Sequence, residues 1–198
     1  LHGTMMGIAA IIAGLIHPHL NHKYGRRNTS WVGLTIFTIG LPFFALGPNI
    51  NFTLPAVLFS CVGFNFVILN MVTLLSHHYP ATPDLAVSQS NGINAVGFVL
   101  GTVLVGTLAT IGISWRLGLL LCIPATIALY IYGKDKIIDN HVADAPKQSG
   151  KLGTKFWIAW FGFFATISSE FATSFWSAAL LSNRTGASAA FSTICVAA

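Results

Sequence analysis

The sequence predicts an all-α protein, a polytopic bundle of transmembrane helices, and three observations lead to that prediction. Of its 198 residues, 54% are hydrophobic and only 8% are Asp, Glu, Lys or Arg, whereas soluble domains carry about 25% of these charged types. Apolar runs of about 18 residues or more recur, and each can cross about 30 Å of hydrocarbon. The runs also lack the alternation of apolar and polar residues that is typical of membrane β-barrels.

Seven apolar segments are predicted as helices, and turn-rich polar breaks separate them. The segments are 3–16, 31–46, 54–75, 86–111, 115–133, 156–181 and 187–198. The short breaks are 17–28, 47–53, 76–84, 113–114 and 183–186. The first and last segments are short for a span, and the chain opens with Leu1 and ends inside an apolar run. We therefore expect a fragment of a longer polypeptide whose missing helices are partners of these.

One further break, 134–155, is longer than the others and holds most of the strongly polar residues of the chain. It divides the sequence into three predicted parts. Residues 1–133 contain five helices, residues 134–155 form a polar loop, and residues 156–198 contain the last two segments. The three cysteines lie far apart in apolar runs, so no disulfide framework is predicted.

The distribution of Lys and Arg predicts the orientation in the membrane. If successive breaks alternate between the two faces, eight of the ten Lys and Arg lie on the side of 17–28 and 134–155. Because cytoplasmic loops carry an excess of these residues, 134–155 should be cytoplasmic and 49–51 external. We expect a multi-pass protein of the plasma membrane. Its net charge of +5 is explained by orientation beside anionic lipid and needs no nucleic-acid partner.

The first break ends in a recognisable motif, formed by Lys23, Tyr24, Gly25, Arg26 and Arg27. It resembles the signature loop between the second and third helices of the major facilitator superfamily, which ends in an acidic, a basic and any residue, then Gly-Arg-Arg or Gly-Arg-Lys. Lys23, Gly25, Arg26 and Arg27 match the pattern, whereas His22 stands at its acidic position and Pro18 at the position of its opening glycine. Glycine permits a tight turn, and arginines meet helix C-terminal carbonyls or lipid phosphates. We therefore interpret Lys23, Gly25, Arg26 and Arg27 as a gating loop, and the alternative is a basic loop that only orients the chain.

The layout of the chain agrees with this resemblance. With 17–28 between helices two and three, the chain continues to helix six, and 134–155 falls where the superfamily has its long central cytoplasmic loop. Helix seven and the start of helix eight follow. The resemblance implies secondary active transport of a small solute by alternating access of two halves, with protons as a second partner and with no enzyme activity or cofactor.

Small residues line one face of predicted helix two and one face of helix five. At spacings of three and four, these are Gly3, Gly7, Ala10 and Gly14, and then Ser90, Asn94, Gly97 and Gly101. Such faces allow close helix packing in lipid. The resemblance implies that both faces line the seam between the two halves. Thr102 stands where drug/proton antiporters of the superfamily have the proline of a Gly-Pro signature, which argues against that subgroup.

Glu170 is the single carboxylate inside a predicted span, where a charge costs about 2.5–3.5 kcal/mol on insertion scales. It lies on a polar stripe of helix seven, which the resemblance places along the central cavity. We interpret Glu170 as a proton site or a solute contact, and the alternative is a structural hydrogen bond to another helix. The other candidate solute-binding residues of this helix are Thr166, Thr173, Ser174 and Trp176.

Helix four contributes two further candidate solute ligands, Asn65 and Asn70, with Thr73 close to Asn70 on the same face. Amide side chains both donate and accept hydrogen bonds, which suits the hydroxyl or amide groups of a solute. The alternative is that they join helices by hydrogen bonds.

The histidines of the first break suggest a metal site only superficially. Their spacing in a predicted loop has no fixed ligand geometry, and neither a cysteine nor a carboxylate joins them. We therefore predict no metal and place them at the membrane interface. They are His17, His19 and His22.

An enzyme is not indicated by the sequence. It contains no phosphate-binding glycine loop, no paired acid/base carboxylates and no Ser-His-Asp arrangement. A polytopic membrane enzyme or a transporter-derived sensor is the alternative to a transporter. Only the group of His77, His78 and Asp84 would favour it.

Overall fold

The computed structural model describes residues 1–134, 152–186, 191 and 195. Within these residues the chain forms six helices and no strand, which confirms the all-α prediction. The helices are α1 (His2–Leu46), α2 (Ile50–His78), α3 (Pro83–Thr110), α4 (Arg116–Leu120), α5 (Cys122–Gly133) and α6 (Thr154–Thr185). Most of the polar loop 134–155 and of the last apolar segment lies outside the described residues.

Helix α1 reverses its direction at Gly25. That residue has φ 80° and ψ 159°, a backbone conformation essentially restricted to glycine. The rings of His2 and Phe44 have centroids 5.7 Å apart, whereas about 40 residues of straight helix would separate them by about 60 Å. The helix therefore consists of two antiparallel arms, residues 2–24 and 26–46. Each arm is about 31–35 Å long, enough to cross the hydrocarbon of a bilayer.

The prediction of a turn-rich break over residues 17–28 is wrong at every position except Gly25. The first arm continues in helical form through His17 and Pro18 to residue 24. Proline, asparagine and histidine favour turns locally, but contacts with other helices override such weak preferences. Membrane segments also need their backbone groups satisfied internally, which favours continuing the helix.

Helix α2 lies parallel to the first arm of α1. It starts after Asn49, whose side chain caps the helix by accepting a hydrogen bond from the Phe52 N–H at 3.1 Å. Near that end, His2 Nε2 lies 3.0 Å from Thr53 Oγ1. Later in both helices, the His17 side chain contacts that of Asn70. Because both contacts advance along the two helices in the same direction, the first arm and α2 run parallel.

The second arm packs antiparallel to α2, with two glycines in direct contact. A Cβ added to Gly33 would lie 2.7 Å from the Gly63 carbonyl oxygen and 2.8 Å from Phe66 Cβ. A Cβ on Gly63 would in turn collide with the Gly33 carbonyl and lie 2.7 Å from the Phe37 nitrogen. Because neither glycine has a side chain, the backbones of the second arm and α2 can touch. Such close contact favours helix association in lipid. The two arms and α2 form an up-down-up bundle that corresponds to predicted helices two, three and four.

Helices α4 and α5 together correspond to predicted helix six. Leu121 joins them with nearly helical dihedral angles, φ −62° and ψ −20°. The end of α5 packs on the start of the second arm of α1, where the rings of Trp31 and Tyr130 meet edge to face with centroids 5.1 Å apart. This contact fixes the carboxyl end of α5 beside the Gly25 turn.

Four helical segments of the described residues are long and apolar enough to cross a membrane, namely α1, α2, α3 and the α4–α5 pair. Helix α6 confirms the predicted helix at 156–181 and extends it to Thr154–Thr185. It is not among these four. The chain divides into two compact units, residues 1–97 with 113–143 and residues 98–112 with 144–198. The three-part division predicted from the sequence stays a prediction.

Candidate functional site

A buried polar cluster lies beneath the Gly25 turn, and we call His17, Asn21 and Asn70 the turn cluster. Asn70 is 2% exposed and His17 is 9% exposed. His17 Nε2 lies 3.0 Å from Asn70 Oδ1, and Asn21 Nδ2 donates to the same oxygen at 2.9 Å. Asn70 Nδ2 donates to the carbonyl oxygen of Arg26 at 3.2 Å. Through Asn70, helix α2 is therefore bonded to both arms of α1.

One arrangement of protons makes the contacts of Asn70 favourable together. An amide oxygen has two lone pairs, so Asn70 Oδ1 accepts one hydrogen bond from Asn21 and a second from His17. In this arrangement His17 carries its ring proton on Nε2, and the Asn21 amide nitrogen, 3.2 Å from Nε2, bonds only Asn70 Oδ1. The Phe66 ring covers the imidazole, with centroids 6.0 Å apart and an interplanar angle of 32°. Asn21 Oδ1 is buried and has no hydrogen-bond partner among the described residues.

The reversal at Gly25 is supported from within α1 as well. Side chains from the start of the second arm donate hydrogen bonds to the three carbonyl groups around the turn, so that these polar groups are satisfied. The pairs are Asn28 with Tyr24 at 3.0 Å, Thr29 with Gly25 at 2.9 Å and Ser30 with Arg26 at 2.8 Å. Thr29 is only 1% exposed, so the turn is packed against the bundle.

The basic residues of the motif lie on the outer side of this turn. The Arg27 guanidinium donates a hydrogen bond to the carbonyl oxygen of Lys134, the residue that ends α5. An arginine thus meets a helix C-terminal carbonyl, as the sequence led us to expect. Lys23 Nζ lies 5.2 Å from the centroid of the Tyr24 ring, a cation–π contact. The gating role of Lys23, Gly25, Arg26 and Arg27 stays a prediction.

The amides of predicted helix four have different partners. Asn65 is half-buried and donates to the carbonyl of Cys61 in its own helix at 2.7 Å. Asn70 instead joins helices in the turn cluster, which is the alternative considered for it from the sequence. Thr73 donates to the Leu69 carbonyl at 3.0 Å.

The polar stripe of α6 presents an exposed carboxylate. Glu170 is exposed, whereas the hydroxyls one turn away on either side are bonded to their own helix. Thr166 donates to the Gly162 carbonyl at 3.0 Å, and Thr173 donates to the Ser169 carbonyl at 2.7 Å. Trp176 is 73% exposed. The side chain of Ser174 lies outside the described residues.

Comparison with protein families agrees with this arrangement of helices. The family model of the Major Facilitator Superfamily matches residues 1–198. The chain belongs to the Major Facilitator Superfamily. This superfamily consists of membrane transporters of small solutes, so the protein is a multi-pass membrane protein of solute transport. No curated protein and no solved structure matches the chain.

In this superfamily member, the predicted seam faces are open among the described residues. A Cβ added to Gly7, Gly14, Gly97 or Gly101 would meet no atom within 4 Å, and Gly3 is half-buried. The close glycine contact lies instead at Gly33 and Gly63. Sequence reasoning missed that contact, although Gly33, Gly40 and Gly47 repeat every seven residues. The role of the open faces at a seam stays a prediction.

In this transporter, the sequence did not indicate the roles of two residues of the turn cluster, the buried His17 and the half-buried Asn21. His17 is buried and contacts Asn70, whereas His19 and His22 are exposed; the position of these histidines at the membrane interface stays a prediction. Asn21 was not singled out. A signal existed, since His17 and Asn21 are four residues apart and lie on one helical face. Within the described ranges, no three His, Cys, Asp or Glu side chains come together as a metal site.

Proposed function

We propose that this superfamily member is a secondary active transporter that moves a small solute by alternating access, driven by protons. One observation carries the proposal. Glu170 is the only carboxylate of α6, and the neighbouring hydroxyls of Thr166 and Thr173 already donate within the helix. The carboxylate is therefore the group of the polar stripe best suited to take up a proton or to bind part of a solute.

The chemistry of a carboxylate explains how it would couple two movements. Desolvation disfavours the charged form of a carboxylate, so Glu170 would take up a proton as surrounding helices close over it. Access to water on the opposite side would release the proton again. Because a charged group in a membrane segment is costly, the protonated transporter would change conformation more readily than the charged one.

The three-helix bundle supplies the rigid part of this proposal. Transporters of this architecture contain related repeats that move as bodies around a central site. The contact of Gly33 with Gly63 leaves no space between the second arm and α2, which favours movement of the bundle as one body. We propose that the Gly25 turn lies at its cytoplasmic end and that Arg26 and Arg27 act in gating there. We also propose the plasma membrane as its location.

Uptake into proteoliposomes tests the proposal. The purified full-length protein would be given a panel of radiolabelled solutes, namely a hexose, an amino acid, a nucleoside, a dicarboxylate and a quaternary ammonium ion. We expect uptake of one class above that of protein-free liposomes, and faster uptake under an imposed pH gradient. Uptake that is insensitive to the gradient would contradict proton coupling. A lack of protein-dependent uptake for the whole panel would contradict transport of these solute classes.

A further inference from the structure

The turn cluster is the only contact in which one side chain of the described bundle bonds both arms of α1. Asn70 receives hydrogen bonds from His17 and Asn21 on the first arm, and donates to the Arg26 carbonyl on the second. These bonds lie on either side of Gly25, the one residue of α1 with non-helical dihedral angles. Asn70 therefore connects the two arms across the turn.

We infer that Asn70, with His17 and Asn21, is a clamp that positions the Gly25 turn and its arginines, and is not a solute-binding residue. The inference rests on the proposed function, because the turn has a role in gating only if the protein is a transporter. Burial supports the assignment, because Asn70 is 2% exposed and a solute would have no access to its amide. The hydrogen-bonding capacity of Asn70 is also largely used, because its oxygen accepts two bonds and its nitrogen donates one.

Neutral partners suit this clamp. The cluster contains no carboxylate. Arg26 takes part in it only through its main-chain carbonyl and not through its charged side chain. A buried polar network that is largely satisfied fixes one arrangement of the helices. Removing one partner leaves the remaining buried polar groups without hydrogen bonds, and this lowers the free energy of unfolding. Loss of the clamp should therefore free the turn while the remaining helix contacts persist.

Protection of residue 29 from a thiol reagent measures the clamp directly. Thr29 is buried at the turn and donates to the Gly25 carbonyl. Thr29→Cys would be introduced into the full-length protein with Cys122 and Cys195 replaced by serine. Labelling by a maleimide in detergent would be followed at residue 29 and, as an internal reference, at the native Cys61. Cys61 is half-buried in α2, away from the turn cluster.

Matched variants separate the clamp from general packing. We expect Asn70→Leu and His17→Leu to raise the labelling rate at residue 29 by about tenfold to a hundredfold, which corresponds to a loss of about 1.4–2.8 kcal/mol, with little change at Cys61. His17→Gln should keep the protection, because the glutamine amide can donate from nearly the position of Nε2. His19→Leu is the control for labelling, since His19 is exposed and lies outside the turn cluster.

Three results would overturn the inference. Unchanged protection of residue 29 in Asn70→Leu would show that the amide does not hold the turn. Equal increases at residue 29 and Cys61 would show that the cluster stabilises the whole bundle and not the turn. In uptake assays with the panel solute that the protein accepts, a raised KM with intact protection would make Asn70 a solute contact. The clamp predicts a lower maximal rate with KM unchanged, and labelling tests it even if no uptake is found.

Discussion

The guanidinium of Arg27 donates a hydrogen bond to the main-chain carbonyl of Lys134, 107 residues later in the chain. Lys134 follows the last turn of α5, where unpaired carbonyl groups and the helix dipole favour a cation. The contact places the Gly25 turn and the start of the polar loop 134–155 at the same end of the bundle. Both carry basic residues, and the alternation of the breaks predicted that the two lie on one side of the membrane; that this side is cytoplasmic stays a prediction.

The first prediction concerns this shared side. In a cysteine-free background, we expect Asn51→Cys to react with a membrane-impermeant thiol reagent in intact cells and Ser149→Cys to react only after permeabilisation. The reason is the excess of Lys and Arg on the side of 134–155. Reaction of Ser149→Cys in intact cells would reverse the assigned orientation.

A second prediction separates the two chemical roles of Arg26. The turn cluster uses only its main-chain carbonyl, so Arg26→Ala should leave the amount of membrane-inserted protein unchanged. If the arginine side chain acts in gating, the same variant should slow solute uptake about tenfold, which corresponds to about 1.4 kcal/mol of activation free energy. Quantitative immunoblotting of membranes and uptake in proteoliposomes give the two values. Arg116→Ala is the control, because Arg116 lies in α4 and outside the motif.

The third prediction tests the close contact of the bundle. Gly33→Ala and Gly63→Ala should lower the melting temperature in detergent, because each added methyl would meet backbone atoms at 2.7 Å. Such overpacking costs about 1–3 kcal/mol, which exceeds the gain of about 1 kcal/mol that alanine has over glycine in a helix. Gly14→Ala, which would meet nothing within 4 Å, should keep or raise the melting temperature. Equal melting temperatures for Gly33→Ala and Gly14→Ala would show that the contact is not tight.

Helix positions followed from the sequence because each depends on its own apolar run. The predicted segments 31–46 and 54–75 lie within α1 and α2, and 86–111 lies within α3 except for its last residue, since hydrocarbon leaves few alternatives to a helix. The reversal at Gly25 was indicated by the motif. Its extent was not, because the polar residues from His17 onward looked like a loop until their partner Asn70 was known.

The contacts between helices could not be predicted from one sequence in the same way. The bond between His17 and Asn70 depends on the register of two helices, and their residues are 53 positions apart. A shift by one residue would turn Asn70 about 100° away from the first arm. Side chains that look equivalent in sequence, such as Asn65 and Asn70, therefore have different roles once the register is fixed.

The last prediction concerns Glu170. The variant Glu170→Gln should behave differently if the carboxylate binds a proton, binds the solute or has a structural role. Glutamine is nearly isosteric with glutamate but cannot take up a proton. Because a charge in a membrane segment is costly, Glu170→Gln should keep the amount of folded protein, as measured by size-exclusion chromatography in detergent. Ser169→Ala is a matched control, since it changes the adjacent residue of α6 without affecting a carboxylate.

Two transport assays then distinguish the roles of Glu170. If the carboxylate carries the coupling proton, Glu170→Gln abolishes accumulation driven by a pH gradient but leaves counterflow of the panel solute, because exchange needs no net proton movement. If the carboxylate binds the solute, both activities fall together. Gradient-driven accumulation equal to that of the unmodified protein would exclude both roles and would leave a hydrogen bond to another helix as the function of Glu170. Counterflow is the deciding measurement, since it alone separates the loss of a proton site from the loss of a solute site.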